Sequence, residues 1–210
     1  MSKSFDPSIY FIADPACCAG RDVVEVVVAA VEAGVTLVQY RDKSCSEGGD
    51  MARIAAEAAM VVEMVRPFGV PVLINDYVDI AFAVGADGVH LGQGDTCPQE
   101  AREKLGAGAI IGQTAFTPEH IAAVDPAHVD YIGTGPVYPT QTDKGKPVLG
   151  VAGFSAMAAL SPVPVVGIGG ITAENARGVL DAGADGVAMM RSVSEANDIV
   201  AAVKSFVELF

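Results

Sequence analysis

The chain has 210 residues, of which 51% are hydrophobic, and a formal net charge of −13 at pH 7. This length fits one domain with a large buried core, and the acidic balance argues against nucleic acid or an acidic membrane surface as the main partner. A small anionic substrate is not excluded, because a divalent cation can supply positive charge in a pocket.

The N-terminus and the lengths of the apolar segments predict a cytoplasmic protein. The first residues, MSKSFDPSIYFIAD, contain no long apolar stretch that ends at a small-residue cleavage site. No apolar run reaches the roughly 18 residues of a membrane span. Cys17, Cys18, Cys45 and Cys97 form no C-x-x-C pair, so free thiols are expected. The three histidines show no zinc-site spacing.

Short β-rich runs alternate with stretches of helical period along the chain. We predict strands at 9–14, 36–42, 71–76, 88–93, 110–115, 131–137, 164–170 and 186–190. We predict helices at 20–33, 49–66, 151–160, 173–182 and 192–208, with shorter ones near 78–84, 99–105 and 118–124. Strands that alternate with helices indicate a parallel sheet, and eight such units close a barrel. The predicted fold is therefore a single (β/α)8 barrel domain, of the α/β class, over residues 1–210.

One pattern occurs twice, as VGADGVHLG at 84–92 and AGADGVAMM at 182–190. Glycine at the end of a helix stops it, because glycine tolerates a left-handed backbone. These segments therefore predict turns from helix to strand, at the end of the barrel opposite the expected site. We expect Asp87 and Asp185 to be turn residues rather than catalytic ones.

Polar residues follow the ends of the predicted strands. In a barrel of parallel strands these ends meet at one face, where such enzymes place their sites. The predicted ring at that face consists of Gln39, Arg41, Lys43, Asn75, Asp76, Gln93, Asp95, Thr114, Thr140, Thr142, Gly169, Gly170 and Arg191.

Four charged residues of this ring suit a magnesium diphosphate. Asp76 and Asp95 follow successive strands, and Mg²⁺ takes one or two protein carboxylates together with phosphate oxygens. Their alternative roles are a helix cap for Asp76 and a closed turn for Asp95. Arg41 and Lys43 are alternate residues that leave one strand, so they can present two positive charges to one side. Their alternative is a solvated surface pair.

The segment GIGGIT at 167–172 predicts a phosphate site. Its glycines let backbone N–H groups approach a phosphate, and a helix predicted from residue 173 adds favourable partial charge. The alternative is a glycine-rich turn without a ligand. Thr140 and Thr142 lie in a long loop, where their hydroxyls bind a second ligand or make local backbone bonds.

Five segments, in this order and spacing, resemble the thiamine phosphate synthase family over nearly the whole chain. They are LVQYRDKS (37–44), LINDYVDIA (73–81), GADGVHLGQGD (85–95), YIGTGPVYPTQT (131–142) and VVGIGGITAENARGVLDAGADGVAMM (165–190). The resemblance implies a transferase that joins a hydroxymethylpyrimidine diphosphate to a thiazole phosphate. Diphosphate would leave through a dissociative alkyl transfer assisted by Mg²⁺.

The resemblance also implies roles for individual residues. The pyrimidine diphosphate would bind to Gln39, Tyr40, Arg41, Asp42, Lys43, Asn75 and Thr114, with Gln39 near the pyrimidine and Arg41 and Lys43 on the diphosphate. Asp76 and Asp95 would bind magnesium. The thiazole phosphate would bind to Thr140, Gln141, Thr142, Gly170, Met190 and Arg191.

The sequence departs from the family pattern at two positions. The family often reads P-T-x-T-K, whereas Asp143 here separates Thr142 from Lys144. We expect the loop to rearrange so that Lys144 acts as the catalytic lysine on the diphosphate, with Lys146 as the alternative. Phe116 stands where the family often has His, so no imidazole is expected there.

Three other functions remain open at this level. A thiazole tautomerase of the same superfamily would not need the diphosphate set, a sugar-phosphate isomerase would need an opposed acid and base, and a non-catalytic sensor would keep only the pocket. The expected partners are two small phosphorylated substrates, without nucleic acid or membrane. Family habit suggests a homodimer.

Overall fold

The computed structural model, which describes residues 5–44, 50–142, 145 and 147–210, contains a closed barrel of eight parallel strands. Each strand pairs with the next in the chain, and the last pairs with the first. The strands are β1 (Ile9–Ala13), β2 (Leu37–Tyr40), β3 (Val72–Asn75), β4 (Gly88–Leu91), β5 (Ile110–Thr114), β6 (Tyr131–Thr134), β7 (Val165–Ile168) and β8 (Gly186–Met189). The predicted (β/α)8 fold is confirmed.

Helices connect the strands and cover the outside of the barrel. They are α1 (Val23–Glu32), α2 (Met51–Val65), α3 (Val78–Val84), α4 (Pro98–Leu105), α5 (Pro118–Ala122), α6 (Gly150–Ala158), α7 (Ala173–Asp181), α8 (Arg191–Ser194) and α9 (Ile199–Val207). The single helix predicted at 192–208 is wrong, because this stretch forms both α8 and α9. The Asp198 side chain accepts a hydrogen bond from the N–H of Ala201 (2.9 Å) and so starts a new helix. No helix in the described ranges is long and apolar enough to cross a membrane.

Two apolar clusters form the core. The larger one lies between the strands and the surrounding helices. The smaller one fills the inside of the barrel and consists of Tyr10, Ile12, Leu37, Leu73, Ile110, Tyr131, Val166 and Ala188. The Tyr131 ring extends across this interior to Gly112, where a Cβ atom would lie 2.2 Å from the ring. Glycine at position 112 therefore makes room for Tyr131 inside the barrel.

A repeated hydrogen bond secures the N-terminal end of the barrel. A side-chain oxygen directly before each even-numbered strand accepts an N–H from the start of the preceding strand. The four pairs are Thr36 with Ile9 (3.0 Å), Asp87 with Val72 (2.9 Å), Asp130 with Ile111 (2.7 Å) and Asp185 with Val165 (2.7 Å). The turn role predicted for Asp87 and Asp185 is confirmed.

The barrel closes where the first unit of the chain meets the last. The Arg21 guanidinium donates hydrogen bonds to the backbone carbonyls of Cys18 (3.2 Å), Ala196 (2.9 Å) and Ser194. On the outside, α9 packs against α1, α7 and α8. These contacts hold α8 next to the C-terminal end of β8, which it directly follows.

Candidate active site

A cavity of about 770 Å³ opens at the C-terminal ends of the strands. Residues from all eight strands line it, so the predicted convergence at one face is observed. The predicted site residues on its wall are Gln39, Arg41, Lys43, Asn75, Asp76, Gln93, Thr114, Thr140, Gln141, Thr142, Gly169, Gly170, Met190 and Arg191.

Two predicted substrate-binding residues lie outside this lining. The side chains of Tyr40 and Asp42 are directed toward α2, because successive residues of a strand point to opposite sides. The Tyr40 hydroxyl donates a hydrogen bond to Glu57 (2.6 Å), and Asp42 accepts one from Arg53 (2.6 Å). The structure therefore gives both side chains partners on the outer layer of the barrel and offers their substrate roles no support.

Each cation at the end of β2 has an acidic partner. The Arg41 guanidinium forms an ion pair with Asp14, which follows β1 and is buried, and the Arg41 side chain is 19% exposed. A solvated surface pair is therefore wrong for Arg41. The Lys43 ammonium lies 3.1 Å from the Asp76 carboxylate. Asp14 was missed from the sequence, although an acidic residue at the end of the strand IYFIAD was its signal.

Asp76 has a backbone that is unusual for a residue with a side chain. Its φ of 61° lies in the left-handed region, and its N–H donates to the carbonyl of His90 (2.9 Å). The α3 N-cap is Tyr77, without a side-chain hydrogen bond, so the helix-cap alternative for Asp76 is wrong. A strained backbone that aims a carboxylate at a cavity is typical of functional sites.

The carboxyl of Asp95 lies beside that of Asp76. Burial is the largest effect that raises the pKa of Asp76, and the Asp95 carboxyl raises it further against the opposing effect of Lys43. One Asp95 oxygen accepts a hydrogen bond from the N–H of Gly92 (2.7 Å), so the turn-closing role is also observed. Two adjacent carboxylates fit a divalent cation, which removes their repulsion.

The charged groups at the cavity are largely paired with one another. The described ones in its lining are Arg41, Lys43 and Arg191 against Asp76 and Glu195. Asp14 pairs with Arg41 and Asp95 lies beside Asp76, but neither of these two carboxylates is part of the lining. Lys144, Lys146 and Asp143 lie outside the described residues. The acidic partners offset part of the positive charge that Arg41, Lys43 and Arg191 offer to a phosphorylated ligand, and a metal ion would add to it.

A metal ion at this site would have few protein ligands. Within the ranges that the structure describes, no group of three His, Cys, Asp or Glu side chains is placed to hold a metal. The Asp76–Asp95 pair alone suits Mg²⁺, because this ion commonly binds one or two carboxylates and completes its shell with water and phosphate oxygens. The donor set therefore fits Mg²⁺ better than zinc.

The glycine-rich turn after β7 approaches the loop that follows β6. Gly169 and Gly170 have φ angles of 96° and 65°, and a Cβ on Gly170 would lie 2.5 Å from the carbonyl oxygen of Pro139. Thr172 and Asn175 form a capping box at the start of α7, with the Thr172 N–H donating to Asn175 (2.9 Å). Glycine is therefore required by the turn itself, whether or not a phosphate binds there.

The loop after β6 meets the end of β8 on the same wall. The Thr142 hydroxyl is 3.4 Å from Nε of Arg191 and 3.8 Å from the sulfur of Met190. Arg191 also pairs with Glu195. The Thr140 hydroxyl accepts the N–H of Thr142 (3.3 Å), so the local backbone bond considered for these threonines is observed. The predicted thiazole phosphate residues thus form one cluster.

A buried chain of polar side chains crosses the floor of the cavity. The amide nitrogen of Gln39 donates to the Tyr10 hydroxyl, which lies 2.8 Å from the hydroxyl of Tyr131. Nδ1 of His90 is 2.9 Å from the Tyr131 hydroxyl, and Nε2 of His90 is 3.0 Å from the hydroxyl of Thr114. Burial lowers the pKa of His90 to about 4. Sequence reasoning missed Tyr10, Tyr131 and His90 as site residues.

The described cysteines are free thiols, as predicted. Cys17 and Cys18 are buried and Cys97 is exposed, whereas Cys45 lies outside the described residues. Burial raises the pKa of Cys17 and raises that of Cys18 to about 11. Because the thiolate is the reactive form, both thiols are poor nucleophiles at neutral pH.

The chain is similar to known proteins over nearly its whole length. Its residues 9–193 match the family model described as thiamine monophosphate synthase. The chain is 42% identical to the thiamine-phosphate synthase of Azorhizobium caulinodans over 98% of this chain and 95% of that one. It is 40% identical to the thiamine-phosphate synthase of Bacillus velezensis, over 96% and 89%. A solved thiamine phosphate pyrophosphorylase from Pyrococcus furiosus superposes with a TM-score of 0.85 at 31% identity and covers 97% of this chain.

Proposed function

We propose a function for this chain on the premise that it belongs to the thiamine monophosphate synthase family. It is a thiamine-phosphate synthase, a transferase that joins a pyrimidine diphosphate to a thiazole phosphate. The observation that carries the proposed mechanism is the Lys43–Asp76 pair, beside Arg41, on the wall of a cavity that Thr142 and Arg191 also line. The two cations that follow β2 and the carboxylate that follows β3 thus line the same cavity.

The reaction exchanges one bond for another at the methylene carbon of the pyrimidine. The carbon–oxygen bond to the diphosphate breaks, and the oxygen keeps the electron pair. The aminopyrimidine shares the positive charge that remains on the carbon, and the thiazole nitrogen then supplies the electron pair of the new carbon–nitrogen bond. No protein nucleophile is needed in this sequence.

The protein contributes electrostatic stabilisation of the departing diphosphate. Asp14 holds Arg41 in place, so its guanidinium is oriented before the ligand arrives. Lys43 is half-exposed and close to Asp76. Its ammonium can therefore move toward the leaving group as negative charge develops there. Gln39 and Asn75 line the same wall and would orient the pyrimidine.

We further propose that Asp76 and Asp95 hold a Mg²⁺ ion. The support is the pair of adjacent carboxylates, of which Asp76 lines the cavity. The ion would supply positive charge to the diphosphate oxygens. Asp76 would use its strained backbone to direct its carboxylate toward that ion.

The test is an assay of diphosphate release by the full chain, with both substrates and Mg²⁺. We expect turnover with Mg²⁺ and none in excess chelator. Asp76→Ala and Asp95→Ala should each lower kcat/KM about 100-fold or more, because loss of one such charge contact costs roughly 2–4 kcal/mol in the barrier.

Asp79→Ala is the matched control, because this carboxylate lies on α3 near Asp76 but is 86% exposed and pairs with Lys104. Its kinetics should equal those of the wild type. Wild-type activity in excess chelator, or full activity of both aspartate variants, would refute the metal role. If neither the wild type nor Asp79→Ala releases diphosphate under any condition, the synthase assignment itself is refuted.

Four expectations from the sequence stay predictions. They are the role of Lys144 on the diphosphate, the homodimer, the cytoplasmic location and a single domain over residues 1–210. A tautomerase remains less favoured, because it would leave Arg41, Lys43 and Asp76 without a ligand.

A further inference from the structure

We propose that the buried chain from Gln39 to Thr114 has a fixed direction, in which neutral His90 carries its hydrogen on Nε2. His90 is then a positioning residue that presents the Thr114 hydroxyl as a hydrogen-bond donor to the departing diphosphate. The inference rests on the proposed function for the identity of the ligand that Thr114 meets.

The direction follows from counting hydrogens along the chain, beginning at Gln39. Its amide nitrogen faces the Tyr10 hydroxyl and can only donate, so Tyr10 accepts there and gives its one hydrogen to Tyr131. Tyr131 in turn gives its one hydrogen to Nδ1 of His90. Nδ1 therefore bears no hydrogen.

The remaining hydrogen of the imidazole must lie on Nε2. A neutral ring has one N–H, and Nε2 is 3.0 Å from the Thr114 hydroxyl oxygen, which accepts it. A doubly protonated ring would reverse the bonds to Tyr131 and Tyr10 and turn the Tyr10 hydrogen toward the donor nitrogen of Gln39. With the Gln39 amide nitrogen toward Tyr10, the count of donors and acceptors therefore excludes the imidazolium.

The consequence lies at the surface of the cavity. Thr114 accepts the hydrogen of His90, so the hydrogen of its own hydroxyl is directed to a ligand oxygen on the cavity side. A donor suits an anionic leaving group whose charge increases as the bond breaks. At the other end of the chain, the Gln39 carbonyl oxygen remains to accept from the pyrimidine.

The opposite direction would have different chemistry at both ends. If Gln39 accepted from Tyr10, the hydrogen of His90 would lie on Nδ1, and Thr114 would donate to Nε2. The Thr114 hydroxyl would then offer only lone pairs to the diphosphate, which would repel it. The two directions thus differ in the tautomer of one histidine.

Long-range 1H–15N correlation spectra of the full chain, labelled with 15N-histidine, measure this tautomer at pH 7. The spectrum of His90→Gln identifies which of the three histidine signals belongs to position 90. We expect a protonated Nε2 and a bare Nδ1. A hydrogen on Nδ1, or on both nitrogens, would overturn the proposal.

Steady-state kinetics test the consequence for catalysis. His90→Leu removes the donor to Thr114 and should lower kcat about tenfold or more, with the KM values of both substrates within about twofold. His90→Gln restores an N–H near the position of Nε2 and should recover most of kcat. Equal losses of kcat in both variants, or a loss confined to KM, would contradict the positioning role.

The two measurements separate this inference from the proposed function. If the wild type makes no thiamine phosphate, the synthase assignment fails whatever the tautomer. If the wild type is active and His90 is protonated on Nδ1, only the inference fails. The spectra use the wild-type protein, with His90→Gln for the assignment, so they decide the direction of the chain even where His90→Leu does not fold.

Discussion

His90 links protonation to the stability of the whole barrel. Burial lowers its pKa from 6.5 to about 4 in the folded protein, whereas the unfolded chain exposes an ordinary imidazole. Between these pH values the unfolded state binds a proton that the folded state does not, so the free energy of unfolding falls as the pH falls. The stabilising contribution is complete above pH 6.5 and is lost toward pH 4.

We therefore expect His90 to cost the protein about 2 kcal/mol of stability between pH 7.5 and pH 5. Urea unfolding of the wild type and of His90→Gln at both pH values measures this, because glutamine does not titrate. Between pH 7.5 and pH 5, the free energy of unfolding of His90→Gln should fall by about 2 kcal/mol less than that of the wild type. Equal losses in the two proteins would show that His90 titrates normally in the fold.

Residues 39–43 show how far the sequence predicts individual roles. The family resemblance assigns the whole segment to the substrate, yet Gln39, Arg41 and Lys43 line the cavity, whereas Tyr40 and Asp42 contact the outer layer of the barrel. The two-residue period of a strand could have separated the two groups. The same period could not have predicted that Asp14 is the partner of Arg41, because that contact depends on the register between β1 and β2.

Four side-chain oxygens, each directly before an even-numbered strand, connect neighbouring strands at the N-terminal end of the barrel. Asp130 differs from the other three because it also pairs with Arg102 (2.7 Å), whose side chain is only 13% exposed. Asp185 accepts the N–H of Val165, with no such pair among its described contacts. Asp130 and Asp185 occupy equivalent positions, but Asp130 should therefore stabilise the fold more than Asp185 does.

We expect Asp130→Ala to lower the free energy of unfolding by about 3 kcal/mol, because it leaves the Arg102 charge without its counter-charge. Asp185→Ala should cost about 1 kcal/mol, the value of one hydrogen bond. Both variants should keep the wild-type kcat, since they lie at the end of the barrel opposite the cavity. Chemical denaturation and steady-state assays measure the two quantities, and equal destabilisation would contradict the distinction.

The order and type of the elements were predictable because each has its own local pattern. Apolar runs of strand length alternated with helical periods, and glycines marked the ends of α3 and α7. The split between α8 and α9 was missed because the helical period continues through residues 195–198, and only the Asp198 cap breaks it. Asp130 was missed as the third acidic turn residue because its segment HVDYIG lacks the Gly-Ala-Asp-Gly pattern.

At the scale of the whole molecule, the barrel depends on a seam between its first and last units. β1 pairs with β8, and Arg21 reaches the carbonyls of Ser194 and Ala196 from the opposite end of the chain. Closure of the barrel could be expected from eight units, but this arginine has no local signal, because its partners lie more than 170 residues away. The seam includes Ser194, the last residue of α8, and this helix directly follows Met190 of the cavity wall.

A weaker seam should therefore raise the KM for one substrate more than the KM for the other. Arg21→Met removes the three hydrogen bonds but keeps an apolar stem, and we expect the Tm to fall by about 5 °C, as for a loss of roughly 2 kcal/mol in a chain of this size. The KM for the thiazole phosphate should rise severalfold, because Met190 and Arg191 shift with α8. The KM for the pyrimidine diphosphate should stay unchanged, because β2 and β3 line the wall for that substrate.

Thermal unfolding and steady-state kinetics with each substrate varied in turn measure both effects. Lys204→Met is the matched control, because it removes a cation from the exposed face of α9 without touching the seam. If Arg21→Met lowers the Tm but changes neither KM, the seam supports the fold alone. If both KM values rise together, the two halves of the cavity move as one body, and the division of the wall between two substrates is wrong.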